Sequence, residues 1–124
     1  MILVFGSNRA GRHGRGAALD AYRNHGAKFG IGEGHVGNSY GVPTKDGNLK
    51  TLKLNEIMHH VVLFIMYAEA NPKLTFKVTR IGCGLAGLND WDMAPMFEQA
   101  TNNCQFDNKW KLYLGDSKEY WGTY

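Results

Sequence analysis

The sequence predicts a single α/β domain over residues 1–124, built as a three-layer α/β/α sandwich around a mixed, mostly parallel sheet. Three observations lead there. Segments of strand and helix character alternate along the whole chain. The first strand candidate is a continuous apolar run, the pattern of a strand covered on both faces. A hydrophobic content of 44% over 124 residues is enough for one core and too high for a disordered chain.

The apolar run is Ile2-Leu3-Val4-Phe5, which ends in Gly6-Ser7-Asn8. A glycine- and arginine-rich loop follows to Gly16. Ala17, Ala18, Ala21, Tyr22 and His25 then recur at helical spacing, with Gly26 placed to end the helix. Phe29 to Gly37 carries no clear period. Asn38 to Thr44 reads as a short strand, and Pro43 places its end at a sheet edge or leaving the sheet. Lys45-Asp46-Gly47-Asn48 is a turn by composition.

From about Leu54 to Ala70, Ile57, Val61, Phe64, Ile65 and Ala68 fall on one helical stripe, stopped by Asn71-Pro72. Thr75 to Ile81 alternates and is β-rich. A second glycine loop runs from Gly82 to Leu88. Asp90 or Asp92 is a plausible N-cap for a helix to about Thr101, with Pro95 tolerated in its first turn. Trp110, Leu112 and Leu114 mark a last strand. The aromatic tail (Tyr120, Trp121, Tyr124) is expected to pack on the body or on a partner.

Charge and composition exclude several classes. A net charge of +3 suits an anionic ligand but lacks the concentrated Lys/Arg footprint of a nucleic-acid binder. The longest apolar run, Val61 to Tyr67, is too short to span a bilayer, and Met1 to Gly6 reads as a strand and not a signal peptide. Cys83 and Cys104 lack metal-ligand spacing, as do His59 and His60. No metal and no cofactor are therefore expected, and the compartment is expected to be the cytoplasm, the host's if the source is viral.

The unusual total is 16 glycines, gathered at 6–16, 26–41 and 82–87. Gly82-Cys83-Gly84-Leu85-Ala86-Gly87 is a literal GxGxxG, and Gly32-Glu33-Gly34-His35-Val36-Gly37 is another. A dinucleotide site also needs a strand before, a helix directly after, and an acid about 20 residues on at the end of a second strand. The later loop has only about one helix and one strand after it, and Asp107 falls before the expected last strand. The earlier loop lacks a convincing strand before it and a helix after it. In a parallel sheet, however, loops 6–16 and 82–88 open on the same edge. Each presents backbone N–H groups near a helix N-terminus, an arrangement that favours a diphosphate. The alternative is a set of tight turns with no ligand.

Residue by residue the trio resembles a macrodomain, the ADP-ribose-binding α/β/α module. Gly6-Ser7-Asn8 through Gly14-Arg15-Gly16-Ala17-Ala18 is similar to its first ligand loop, and Gly82-Cys83-Gly84-Leu85-Ala86-Gly87-Leu88 to its diphosphate loop. Tyr40-Gly41-Val42-Pro43-Thr44-Lys45 with Arg80-Ile81-Gly82-Cys83-Gly84-Leu85 resembles the subclass of terminal ADP-ribose protein glycohydrolase and the ADP-ribose 1″-phosphate phosphatases. The opening is also similar to short macrodomain-like proteins of phages and bacteria. The resemblance spans roughly residues 2–101 and implies a minimal version, without the extra strands that full macrodomains carry ahead of the equivalent of Ile2.

What the resemblance implies is binding of ADP-ribose or a related nucleotide, free or on an ADP-ribosylated protein. Asn8 would meet the distal ribose, and loops 11–16 and 82–88 the diphosphate. In the glycohydrolase a lysine attacks the anomeric carbon, which Lys45 matches, and an aspartate after G-C-G-L assists, where this chain has Ala86. In the other hydrolytic class an acid of the first loop activates water, and here that region has Arg15.

Each candidate also has a plainer role. Asn8 holds a ribose hydroxyl or closes an Asx turn. His13 is an acid/base or a solvent-exposed loop residue. Arg12 and Arg15 grip phosphate or are surface charge. Lys45 is a nucleophile or a solvated lysine beside Asp46. Asp90 replaces the missing acid or caps a helix. Cys83, between two glycines in an N–H-rich loop, is expected to have a lowered pKa and to be there for its small size. The functional expectation is a binder of ADP-ribose or a close derivative, with hydrolysis of a group from the distal ribose left open. The alternatives are a non-catalytic reader of such nucleotides and a structural or interaction protein using its aromatic tail.

Overall fold

A computed structural model describes residues 1–124. Its strands are β1 (Ile2–Asn8), β2 (Gly34–Val36), β3 (Ser39–Lys45), β4 (Phe76–Val78), β5 (Cys104–Asp107) and β6 (Glu119–Gly122). The helices are α1 (Gly16–Asn24), α2 (Leu54–Ala70), α3 (Asp90–Met93) and α4 (Lys111–Leu114), with 3-10 turns over Ala94–Phe97 and Asn108–Trp110. The strands form one sheet in the order β2-β3-β1-β4-β5-β6, with only β2 antiparallel to its neighbour. This is the expected α/β sandwich on a mixed, mostly parallel sheet. No helix is long and apolar enough to cross a membrane.

Alternation along β1 explains the layers. Ile2 and Val4 point into the larger core with Ile57, Val61, Phe64, Ile65 and Ala68 of α2, the stripe read from the sequence. Leu3 and Phe5 point the other way, against Ala18 and Ala21 of α1 and Ala27. A strand buried on both faces has no room for polar alternation, which is why Ile2 to Phe5 is uniformly apolar. Glu56 accepts from the Lys53 N–H at the start of α2, 3.1 Å. At its end Asn71 donates to the Tyr67 carbonyl, 2.8 Å, and Pro72 follows.

β3 is interior, between β2 and β1, but its end beyond Gly41 has no β2 partner, as Pro43 implied; two other local expectations are corrected below. The bond from Leu3 N–H to the Asn38 carbonyl sets an alternation in which even-numbered residues of β3 face β1. Pro43 therefore faces the β2 side, beyond the last β2 pair at Gly41, and its missing N–H costs no ladder bond.

The helix expected from Asp90 or Asp92 to Thr101 is a single α turn continued as a 3-10 turn, and Asn89 holds the N-cap position. Asp90 is drawn away by Arg80, as described below.

Trp110, Leu112 and Leu114 do not form the last strand. Asp107 Oδ1 accepts from the Lys109 N–H, 2.9 Å, and starts a turn that runs into α4, leaving Leu112 exposed. The strand of this region is β5, and the aromatic tail supplies β6. Trp121 Nε1 donates to the Val78 carbonyl, 2.8 Å, and the Lys77 ammonium lies 4.3 Å from the Trp121 ring centroid. The tail thus packs on the body.

Candidate functional site

The connection out of β1 leads toward β3 on one side, and that out of β4 leads to β5 on the other. Where successive connections part in this way, the loops at the strand ends leave a crevice. Here it is a cleft of about 590 Å³, within the usual range for a small-molecule site. Gly6 is one reason the floor is open. A Cβ there would meet the Gly82 nitrogen at 3.3 Å, so the two strand ends approach to backbone distance.

From the first loop Gly6, Ser7, Asn8 and Arg12 line the cleft, then residues 14–17; from the second, residues 82–86. Lys45 lines it from the end of β3. Gly87 and Leu88 do not. Leu88 instead donates its N–H to the Gly82 carbonyl, 2.8 Å, and closes the loop behind the cleft. The loops meet across the opening, since a Cβ on Gly16 would stand 3.2 Å from Leu85 Cδ1. Thr51 Oγ1 donates to the Ala86 carbonyl, 3.0 Å, and ties the 46–51 turn to the same loop.

The chemistry of this cleft lies in its backbone. Gly14, Arg15, Gly16, Ala17 and Ala18 have N–H groups with no acceptor in the chain, and no side chain caps α1. Gly82, Gly84, Leu85 and Ala86 are likewise unbonded at N–H. The residues that carry these two rows of open donors, one at the N-terminus of a nine-residue helix, line one cleft. Such donors and the helix dipole favour an anion with several acceptor oxygens. Arg12, Arg15 and Lys45 add positive charge, and none of them forms an ion pair.

Asn8 takes the plainer of its two expected roles. Its Oδ1 accepts from the Arg12 N–H, 2.9 Å, and its Nδ2 donates to the Arg12 carbonyl, 2.7 Å, closing the loop. It lines the cleft as well, and a second lone pair on Oδ1 is free for a hydroxyl. Ser7 Oγ donates to the Gly32 carbonyl, which joins the second glycine cluster to the end of β1.

Two candidate catalytic residues are not in the cleft. His13 is fully buried, contrary to the exposed loop histidine that was the alternative. Its Nε2 donates to the carbonyls of Lys28 and Ile31, 2.9 and 3.1 Å, and its ring meets Phe5 edge-on. It pins the loop against the 28–31 segment, and its Nδ1 has no partner. Asp90 accepts from Arg80 Nε, 2.8 Å, and Nη2, 2.5 Å, and from Trp110 Nε1, 2.7 Å. The Arg80 guanidinium holds its carboxyl well below the usual range, at about 2, so it is a poor proton acceptor at neutral pH.

Cys83 corrects another expectation. Burial, and then the neighbouring Asp90 charge, push its thiol up to about 12, against the lowering expected from the N–H-rich loop. It is a small residue in a tight turn, with its thiol held in the protonated form at neutral pH. Both cysteines are free.

Sequence reasoning missed Asp107 and Tyr124, which also line the cleft. Asp107 is almost fully buried and stands at the end of a strand, although the sequence placed it before one. The alternation Cys104-Gln105-Phe106-Asp107 was the available signal. No three His, Cys, Asp or Glu side chains are grouped so as to hold a metal ion. Compared with family models, with curated proteins and with solved structures, the chain matches none.

Proposed function

We propose that the cleft binds ADP-ribose or a close derivative, with the diphosphate held between the N-terminus of α1 and the 82–86 loop. The observation that carries this is the pair of rows of unbonded N–H groups, at residues 14–18 and at Gly82 and residues 84–86. A diphosphate has oxygens on two phosphorus atoms, one for each row. The resemblance of the same two loops to macrodomain ligand loops supports the choice of nucleotide.

The order of the strands supports one direction for the proposed ligand. Lys45, Asn8, Gly82, Asp107 and Tyr124 stand at or just beyond the ends of β3, β1, β4, β5 and β6 in that order. Four strand spacings of about 4.8 Å make roughly 19 Å from Lys45 to the Tyr124 end, the reach of an extended nucleoside diphosphate sugar. The distal ribose would lie toward Asn8 and Lys45, and the base toward Asp107 and the Tyr124 ring. Asp107 has a buried carboxylate suited to an amine donor.

In the enzymatic form the neutral Lys45 amine forms a bond to the anomeric carbon as the C–O bond to a phosphate or a protein carboxylate breaks, and water then hydrolyses the lysine–ribose adduct; an ester-linked acyl group would instead leave by attack of water on its carbonyl carbon. The second reading is a non-catalytic reader of ADP-ribose or of an ADP-ribosylated protein. It is favoured by the placement of His13 and Asp90 away from the cleft and by the methyl group of Ala86. Free Cys83 and Cys104 suit a reducing compartment, and we place the protein in the cytoplasm.

Calorimetric titration with ADP-ribose, NAD and AMP tests the nucleotide. Saturable heat with ADP-ribose, weaker with AMP, supports it. No heat with ADP-ribose near about 1 mM ends both readings. Incubation with ADP-ribose 1″-phosphate and an ADP-ribosylated-glutamate peptide then separates enzyme from reader.

A further inference from the structure

In loop 82–86 the N–H groups of Gly82, Gly84, Leu85 and Ala86 have no acceptor in the chain, so they do not hold the loop together. Within residues 81–89 the backbone bonds are few. Ile81 donates to Thr79, Cys83 to Arg80, Gly87 to Gly84 and Leu88 to Gly82. Gly82 and Gly87 sit at φ +81° and +74°, where only glycine is relaxed, and residues 84 and 85 are exposed. A segment of this kind needs fixing from outside if its donors are to stay at one spacing.

Asp90 supplies that fixing at the base of the loop. It joins Arg80, the residue before Ile81, to the residue that follows Asn89, so that the ion pair closes the loop across its two ends. The contact is two-pronged, and a third donor reaches Asp90 from Trp110, a fully buried side chain. A single exposed ion pair adds little, but a forked contact with a further hydrogen bond from a rigid indole fixes a direction as well as a distance. Arg80 itself lines the cleft, so the clamp borders the same cleft as the open amides.

We propose that Asp90 is a positioning residue of the anion site, setting the spacing of the open amides at Gly82, Gly84, Leu85 and Ala86 through Arg80 and Trp110. The proposal rests on the anion-binding reading of the cleft but not on the identity of the nucleotide. An asparagine at 90 keeps the shape and presents an NH2 group to donors at one of its two ends, so it cannot satisfy all three partners.

Inorganic pyrophosphate is the probe, because it reports on the two amide rows without base or ribose. Affinity is measured by calorimetry on folded protein, and amide shifts by 1H–15N spectra. Asp90→Asn is expected to weaken pyrophosphate binding about tenfold and to shrink the ligand-induced shifts of Gly84 and Leu85. Trp110→Phe, which removes one donor, is expected to weaken it about threefold. Asp92→Asn, a neighbouring carboxylate without an ion pair, is expected to bind as wild type. If Asp90→Asn does not fold, Arg80→Lys takes its place. It keeps the charge without the fork and is expected to lose about tenfold as well.

A purely structural role would lower the melting temperature and leave the affinity of the folded protein unchanged, and that result overturns the proposal. So does a wild-type protein that fails to bind pyrophosphate. Pyrophosphate binding without ADP-ribose binding would end the nucleotide reading and leave Asp90 in its place.

Discussion

The backbone of Gly32 lies directly against the carbonyl oxygen of Asn8, so closely that a Cβ on Gly32 would overlap it. Ser7 Oγ donates to the carbonyl of the same glycine. Gly32 of the second GxGxxG string thus packs against the end of β1, where close approach requires a glycine.

Gly32→Ala forces the end of β1 and the 27–33 segment apart. Overpacking at a backbone contact with no flexible atom to yield costs about 3 kcal/mol or more. Urea denaturation checks this. A variant as stable as wild type would show that the approach is not required.

Acid stability follows from Asp90. Its carboxyl is held at about 2 by Arg80, below the unfolded value of about 3.9, so its contribution to stability is full above about pH 4. That contribution is lost as pH falls from about 4 to about 2. The stability gap between wild type and Asp90→Asn is therefore expected to narrow across this window, as measured by urea melts at pH 5, 4, 3 and 2. A gap that stays constant would contradict the assignment.

Lys45 is the catalytic candidate that the structure leaves in the cleft. If the protein is a hydrolase, Lys45→Ala is expected to abolish turnover of an ADP-ribosylated-glutamate peptide while changing ADP-ribose affinity by less than about tenfold. Retained turnover removes Lys45 from the mechanism. Binding and turnover lost together would make it a ligand-gripping residue only.

Much of the fold was legible because local periodicity and packing agree. The α2 stripe from Ile57 to Ala68 and the apolar run of β1 were read residue by residue, since each has one burial pattern that satisfies it. The chain after Pro95 was not legible, and the reason is physical. Trp110-Lys111-Leu112-Tyr113-Leu114 alternates like a strand, yet Asp107 caps a turn there and Gly115 at φ +77° ends it. Short elements of four residues are set by such caps and by tertiary contact more than by period.

The cleft was half legible. Glycines that open backbone N–H groups are visible in sequence, so residues 14–17 and 82–86 were found. Asp107 and Tyr124 come from a strand order that only the folded sheet shows. His13 and Asp90 were misplaced because sequence adjacency to a loop says nothing about which way a side chain turns. One turns into the protein, and the other turns back onto Arg80.

The central claim is that two rows of open amides clamp a diphosphate. Titration of 15N-labelled protein with ADP-ribose, followed amide by amide, tests it most directly. The account predicts saturable shifts concentrated at residues 14–18 and at Gly82, Gly84, Leu85 and Ala86, with smaller ones at Asn8 and Asp107. Shifts confined to other surfaces, or none at millimolar ADP-ribose, would contradict it.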